Sequence, residues 1–382
     1  MTVERASRLF DKVYGCLLGG LIGDAMGSPA ENKTYREIEA KFGRITDFSG
    51  AGTDDSALKH ILCDAIIRNN GYPTADAWAE EWINQEELFL KRNIFWTPVM
   101  NSFWKLRGEG VAPWNAGDGN MSSSSSAMCI SPVGIVNAGN PRQAALEAFD
   151  VASLIHHNFC RDAAAVMAAA VAAAFDPAAT VESILESAVA FLPSGSAATM
   201  REFCASTVGL ARETQDYGSF REKYYAERLL PGIATPDARE TVPVALALFH
   251  LANGDPEQTV IAGANFGRDA DTIASMAGAI AGAYRGASVL PAGWVEKATA
   301  GNPRDQAQLA RKLVDLVLER NEAMRRLVAS IRVLEDEGNP EYCRPSAGHR
   351  MNPIRSSPPR VMAENDKKEN SQGEKKQAGE KK

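Results

Sequence analysis

The chain has 382 residues, enough for one large domain or two ordinary ones with a sizeable core. Hydrophobic residues make up 45% and charged residues 23%, the balance of a globular protein. The formal net charge is −7, and no basic stretch is interleaved with aromatics, which excludes a nucleic-acid partner. The six cysteines are far apart with no CxxC pair, so they read as free thiols in a reducing compartment rather than as a disulfide frame or zinc site.

The N-terminal stretch "MTVERASRLFDKVYG" carries acids and no long apolar run before a cleavage site, so no signal peptide is expected and the protein is expected in the cytoplasm. The apolar run Val13 to Gly23 is too short to span a bilayer and ends at Asp24. In chain order, apolar spacing of three and four predicts helices over 7–27, 54–70, 75–92, 142–153, 161–175, 180–191, 198–212, 239–252, 256–264, 271–285 and 304–335. Gly71, Pro73, Pro141, Pro177, Pro193, Pro236 and Pro256 fall between these runs, where helix terminators and starters belong. Alternating strand patterns are nearly absent and alanine is abundant. The expected fold is all-α, one compact multi-helix domain over residues 1–337. The segment holding Trp96, Trp104 and Trp114 reads as a loop whose aromatics fill the core, with stacking on a base as the other reading. Residues 338–382, with "AENDKKENSQGEKKQAGEKK", have no periodicity and are expected to be a disordered charged tail.

Glycine recurs at 15, 19, 23 and 27 in "GCLLGGLIGDAMG" and at 278, 282 and 286 in "GAIAGAYRG". A spacing of four puts these glycines on one helix face. Each interior glycine costs about 1 kcal/mol against alanine, so the repeat predicts a return, namely backbone-to-backbone approach of packed helices.

The chemistry concentrates in two acidic clusters. "SGAGTDDSALKHI" places Asp54 and Asp55 after Thr53 at a helix start, and "NFGRDADTIASMAG" places Asp269, Asp271 and Thr272 at another. Either cluster alone reads as helix capping, because a helix N-terminus has unpaired N–H groups and a positive dipole end. Asp24 lies inside an apolar, glycine-rich helix, where a carboxylate needs a partner. With Glu31 there are six candidate acids, and their convergence would demand a cation. Oxygen ligands without nearby His or Cys point to Mg²⁺ or Mn²⁺ ahead of Ca²⁺. Neither cluster continues as an EF-hand, and no GxxxxGK[ST] phosphate loop occurs. Two ions sharing these carboxylates suit hydrolytic or phosphoryl chemistry.

At these residues the sequence resembles the ADP-ribosylglycohydrolase family, all-α dinuclear-metal enzymes that remove ADP-ribose from modified proteins or small molecules. The matching pieces are "GCLLGGLIGDAMGSPAE", "TDDS", "SLIHHN" and "NFGRDADTIASMAGAIAGAYRGA", in the family's order over roughly residues 10 to 290. The resemblance implies that Thr53, Asp54, Asp55, Asp269, Asp271 and Thr272 hold two divalent cations, with Asp271 bridging. It implies that Glu31 or Asp55 acts as base or stabilises oxocarbenium-like charge. Asp24, Ser124, Ser126, Met128, His156, Gly267 and Arg268 are implied around the substrate, Asp24 by orienting the site from within its helix. The sequence departs from the family pattern at Gly267-Arg268, where Gly-Gly is frequent, at Met128-Cys129, where Met-Arg is common, and at the serine run Ser122 to Ser126, which replaces a glycine-rich loop. Arg268 would pair with a phosphate or carboxylate, or neutralise the acidic cluster. His157 reads as helix surface or core, and Glu240 as structural.

The expected activity is metal-dependent hydrolysis of an ADP-ribosyl bond, with an ADP-ribosylated protein or small molecule as partner. The nearest rival is a same-fold hydrolase of another N- or O-ribosyl compound. The reading from a different class is an inactive binding or structural homologue, which would show an incomplete ligand set.

Overall fold

The computed structural model describes residues 7–335 except 93, 231 and 233. The chain divides into one compact unit, Met1–Arg326, which contains all the candidate site residues, and a second, Leu327–Lys382. The charged tail over 338–382 lies outside the described residues.

The glycine faces account for the centre of the first unit. Helix α1 (Arg8–Gly27) runs against a helix near the other end of the unit, Ala270–Arg285, in antiparallel fashion. A Cβ at Gly19 would lie 2.2 Å from the Gly278 carbonyl oxygen, and one at Gly23 would lie 2.2 Å from that of Ala274. Only glycine admits backbone contact this close, so the spacing of four is the signature of this packing.

After α1 the chain forms α2 (Tyr35–Phe42), α3 (Asp54–Arg68), α4 (Ala75–Asn84), α5 (Glu86–Arg92), α6 (Thr97–Trp104), α7 (Ser131–Val136) and α8 (Pro141–Val151). It continues with α9 (Phe159–Ala174), α10 (Val181–Ala190), α11 (Ala198–Thr214), α12 (Tyr217–Glu227), α13 (Ala238–Leu251) and α14 (Pro256–Ala264). The last helices are α15 (Ala270–Arg285), α16 (Ala292–Gly301) and α17 (Gln306–Glu335). Two strands of two residues each, β1 (Lys33–Thr34) and β2 (Gly267–Arg268), pair antiparallel with Lys33 opposite Arg268 and Thr34 opposite Gly267. The fold is all-α, as its composition and periodicity predict.

Helix α9 is almost wholly buried, and its alanines let α7, α8, α10 and α13 pack closely around it. The run predicted over 75–92 is two helices that meet at Gln85. Helices α2, α6, α7, α12 and α16 are additional to the predicted set, and α6 occupies the segment expected as a loop. The tryptophans of that segment do not fill the core: Trp96, Trp104 and Trp114 are 41%, 47% and 67% exposed. Phe89 and Phe103 fill it instead, stacked at 4.6 Å. Among the described residues no helix is long and apolar enough to cross a membrane, and five cysteines, Cys16, Cys63, Cys129, Cys160 and Cys204, are buried free thiols.

Candidate metal centre

Asp24 organises the first half of the site from the last turns of α1. Its two carboxylate oxygens accept the backbone N–H of Thr53 at 2.9 Å, the Thr53 hydroxyl at 2.8 Å, the Ser56 N–H at 3.0 Å and the Ser56 hydroxyl at 2.5 Å. Both oxygens are therefore occupied, and Asp24 acts by holding the loop before α3 and the first turn of that helix. Gly52 is required here: its φ is +85°, and a Cβ would lie 2.6 Å from Asp24 Oδ2. Thr53 is the N-cap residue of α3, but its hydroxyl turns to Asp24 rather than capping the helix. Asp54 and Asp55 follow in the first turn, at the positive end of the helix dipole.

The second half enters through the short β ladder. Pairing of β1 with β2, extended by the Asn32 N–H to Arg268 carbonyl bond of 2.7 Å, carries Glu31 beside the start of α15. Asp269 is the N-cap residue of α15 and accepts the Ser124 hydroxyl at 3.1 Å, while the Thr272 hydroxyl donates to Asp55 Oδ2 at 3.2 Å. One carboxylate oxygen each from Asp24, Asp55 and Asp271 lie within 4.8 Å of one another, and so do oxygens of Glu31, Asp269 and Asp271. Asp271 belongs to both groups.

These charges are mutually unfavourable. Burial, then the charge of Asp24, pushes Asp54 up to about 6. Burial, then Glu31, pushes Asp269 up to about 7. Asp55 and Asp271 are held well above the usual carboxylate range, first by burial and then by neighbouring carboxylates. Asp55 Oδ1 and Asp271 Oδ1 are buried with no hydrogen-bond partner among the described residues. Orphaned buried carboxylate oxygens are costly, and hard divalent cations are the ligands that satisfy them. The donor set thus fits the metal centre that the sequence pattern implies.

The acids form the floor of a cleft of about 510 Å³. Of the residues singled out in the sequence, Glu31, Thr53, Asp54, Asp55, Ser124, Met128, Asp269, Asp271 and Thr272 line it. Asp24, Ser126, His156, Gly267 and Arg268 do not line it, and the structure gives each of them another contact. His156 is wholly buried behind the serine run, with Nδ1 2.9 Å from the Ser126 hydroxyl and Nε2 3.0 Å from that of Ser123. Burial lowers its pKa to about 3, so it is a neutral ring that pins the loop presenting Ser124 and Ser125. Gly267 sits where a Cβ would meet the Lys33 carbonyl oxygen at 2.5 Å, so it serves the ladder. Arg268 turns away from the acids to pair with buried Glu240, Nε to Oε1 at 2.7 Å. His157 is exposed and meets the Gly117 carbonyl at 3.1 Å.

Other lining residues were not assigned to the site from the sequence, apart from Trp96 in its base-stacking reading. Ile94, Phe95 and Trp96 form one wall, and Thr235 and Pro236 lie at another, where the Thr235 hydroxyl donates to Asn32. The Ser124 N–H bonds the Pro236 carbonyl at 2.6 Å, which ties that wall to the serine loop. The aromatic run between residues 94 and 104 was the available signal for the first wall.

The chain is 27% identical over 308 residues to an uncharacterized protein, YegU, of Escherichia coli K12, covering 73% of this chain and 89% of that one. It is 23% identical over 329 residues to ADP-ribosylhydrolase ARH3 of Bos taurus, covering 76% and 89%. It is 23% identical over 302 residues to ADP-ribosyl-[dinitrogen reductase] glycohydrolase of Rhodospirillum rubrum, covering 75% and 90%. A solved structure of an ADP-ribosylglycohydrolase-related protein complex shares the fold, with a TM-score of 0.62 at 20% identity over 81% of this chain and 99% of that one. The family profile described as ADP-ribosylglycohydrolase matches residues 5–323, and the chain belongs to that family of hydrolases.

Proposed function

We propose that this chain hydrolyses an ADP-ribosyl glycosidic bond in a reaction dependent on divalent cations, releasing ADP-ribose from a modified protein side chain or small molecule. One observation carries the reading: carboxylates from both acidic clusters converge on the floor of a cleft, two of their oxygens buried without a partner. The names of the bovine and Rhodospirillum rubrum relatives, an ADP-ribosylhydrolase and an ADP-ribosyl-[dinitrogen reductase] glycohydrolase, support ADP-ribose as the glycosyl group.

Thr53, Asp54, Asp55, Asp269, Asp271 and Thr272 would hold the cations, Mg²⁺ first and Mn²⁺ as the alternate. When bound, the ions supply Lewis-acid polarisation of oxygen atoms. The protein's own groups do the rest. Glu31, half-buried beside Asp269 and Asp271, stands at the cleft as proton acceptor or as a carboxylate facing oxocarbenium-like charge. Asp55 is the other carboxylate suited to that work. The Ser125 hydroxyl at the cleft offers a hydrogen bond to a diphosphate, while that of Ser124 is held by Asp269. Phe95 and Trp96 offer an apolar wall that excludes water and against which a base packs.

The test is a panel of ADP-ribosyl-arginine, ADP-ribosyl-serine, O-acetyl-ADP-ribose and nucleosides, assayed with Mg²⁺ and with Mn²⁺. Wild-type protein releases ADP-ribose from at least one ADP-ribosyl compound, and Asp54→Asn or Asp271→Asn abolishes the release. Unchanged turnover in either variant would falsify the ligand assignment. Cleavage of the nucleosides alone would replace the substrate class with that of the rival ribosyl hydrolase.

A further inference from the structure

Helices α1, α3 and α15 meet in layers. The upper layer holds Asp24, Asp55 and Asp271, with oxygens within 4.8 Å of one another. The residue four positions deeper on each helix is Gly20 on α1, Lys59 on α3 and Ser275 on α15. Four residues are about one helical turn, so these three form the layer directly beneath the acids. Lys59 is only 2% exposed, and its ammonium donates to the Ser275 hydroxyl at 3.1 Å. A Cβ on Gly20 would lie 2.6 Å from Lys59 Nζ, so the missing side chain of Gly20 is the space that the ammonium occupies.

Lys59 forms no ion pair among the described residues. An ammonium buried with one hydroxyl partner is unfavourable unless opposite charge lies close by. Helical side chains lean toward the N-terminus of their helix, so the Lys59 stem leans back toward the layer of Asp55. The Lys59–Ser275 bond joins α3 to α15 one turn below the Asp55–Thr272 bond that joins the same helices.

We propose that Lys59 is a positioning residue of the acidic centre, an internal countercharge in a niche made by Gly20, which holds α3 and α15 together beneath the carboxylates. It is a fixed cation in the protein, separate from any ion that binds above it. Its charge opposes a cation that binds above it.

A double-mutant cycle on the metal-free full chain tests this without relying on the metal reading. Lys59→Met is expected to lower the melting temperature by several degrees in the wild-type background. In the Asp271→Asn background, with the cycle run above about pH 8 so that the carboxylate layer carries charge in the parent protein, it is expected to lower it by less than half as much. In the metal arm, which does rest on the proposed function, Lys59→Met is expected to tighten the Mn²⁺ dissociation constant by about tenfold, since a like charge is removed from beneath the site. Wild-type protein that binds no Mn²⁺ would sink the metal reading and leave the cycle to decide the role of Lys59. Equal melting losses in both backgrounds overturn the proposal, and so does an unchanged constant in a protein that binds Mn²⁺. If Lys59→Met does not fold, Lys59→Gln takes its place. Failure of both to fold in the Asp271→Asn background also overturns the proposal, because the position then needs volume rather than charge.

Discussion

Arg268 has a left-handed backbone with φ of +62°, next to Gly267 at +86°. That conformation costs a side-chain-bearing residue about 1–2 kcal/mol, which explains why two glycines suit this pair of positions. What holds Arg268 there is Glu240, 1% exposed, its carboxylate bonded by Nε at 2.7 Å and Nη2 at 3.3 Å. Removing one partner of a buried pair leaves an unpaired charge at a cost of about 3–5 kcal/mol. Arg268→Gly relieves the backbone but orphans Glu240, so it is expected to destabilise the protein by a net of about 2–3 kcal/mol. Adding Glu240→Gln should recover most of that loss, read by urea unfolding of both variants. If Arg268→Gly alone is neutral, the ion pair is not what holds the residue in place. At this scale the acids were legible because a carboxylate at a helix start after a glycine loop is a local pattern. The orientations of Arg268 and His156 were not, since their partners, Glu240 and the serine loop, lie 28 and some 30 residues away along the chain.

At the scale of elements, the glycine spacing of four predicted backbone-to-backbone helix packing, and the structure adds that the two glycine faces meet each other, α1 against α15. The short helices escaped for separate physical reasons. Helix α7 is six residues long and buried on every side, so no polar face marks its period. Helix α2 has eight residues, too few for a periodic signature, although its capping box between Thr34 and Glu37 is a local signal. The ladder that carries Glu31 to Asp269 has two residues per strand, below any alternation that a sequence can display. The glycine contact gives a matched pair of substitutions. In α15, Gly278→Ala places a Cβ 2.3 Å from the Gly19 carbonyl oxygen, where backbone opposes backbone and neither side yields cheaply. The expected loss is about 1–3 kcal/mol despite the better helix propensity of alanine, and the Mn²⁺ site should weaken with it because α15 carries Asp271. In α11, Gly209→Ala meets nothing within 4 Å and should stabilise by up to about 1 kcal/mol. Both are measured by urea midpoint, and a stabilised Gly278→Ala would contradict the backbone contact.

For the molecule as a whole, the all-α class followed from periodicity and alanine content, whereas the site depended on two clusters more than two hundred residues apart closing on one cleft. That closure makes the metal-free protein strained in a way that pH exposes. An unfolded aspartate titrates near 4, at about 3.9. Asp54 and Asp269 are raised to about 6 and about 7 in the folded state, and Asp55 and Asp271 are likewise held well above the ordinary carboxylate range. A raised carboxyl means that the folded state binds more protons than the unfolded one, so stability present at low pH is lost as pH rises through the folded value. The buried histidines act in the opposite sense. His60 is lowered to about 4, first by burial and then by Arg304, and His156 to about 3 by burial. Their contribution is fully present above the unfolded histidine value of about 6.5 and is lost as pH falls toward the folded values. Above about 6.5 the histidines add little, and the raised carboxylates set the slope until Lys12, lowered to about 8 by burial, begins to act against them. In chelator, the melting temperature should therefore fall between pH 6.5 and pH 8. Saturating Mg²⁺ or Mn²⁺ binds the ionised acids, stabilises the folded state by mass action and should remove or reverse that fall. Calorimetry at the two pH values, with chelator and with metal, reads all four quantities. A metal-free protein that melts no lower at pH 8 than at pH 6.5 would mean that the acids carry less mutual repulsion than their burial and spacing require.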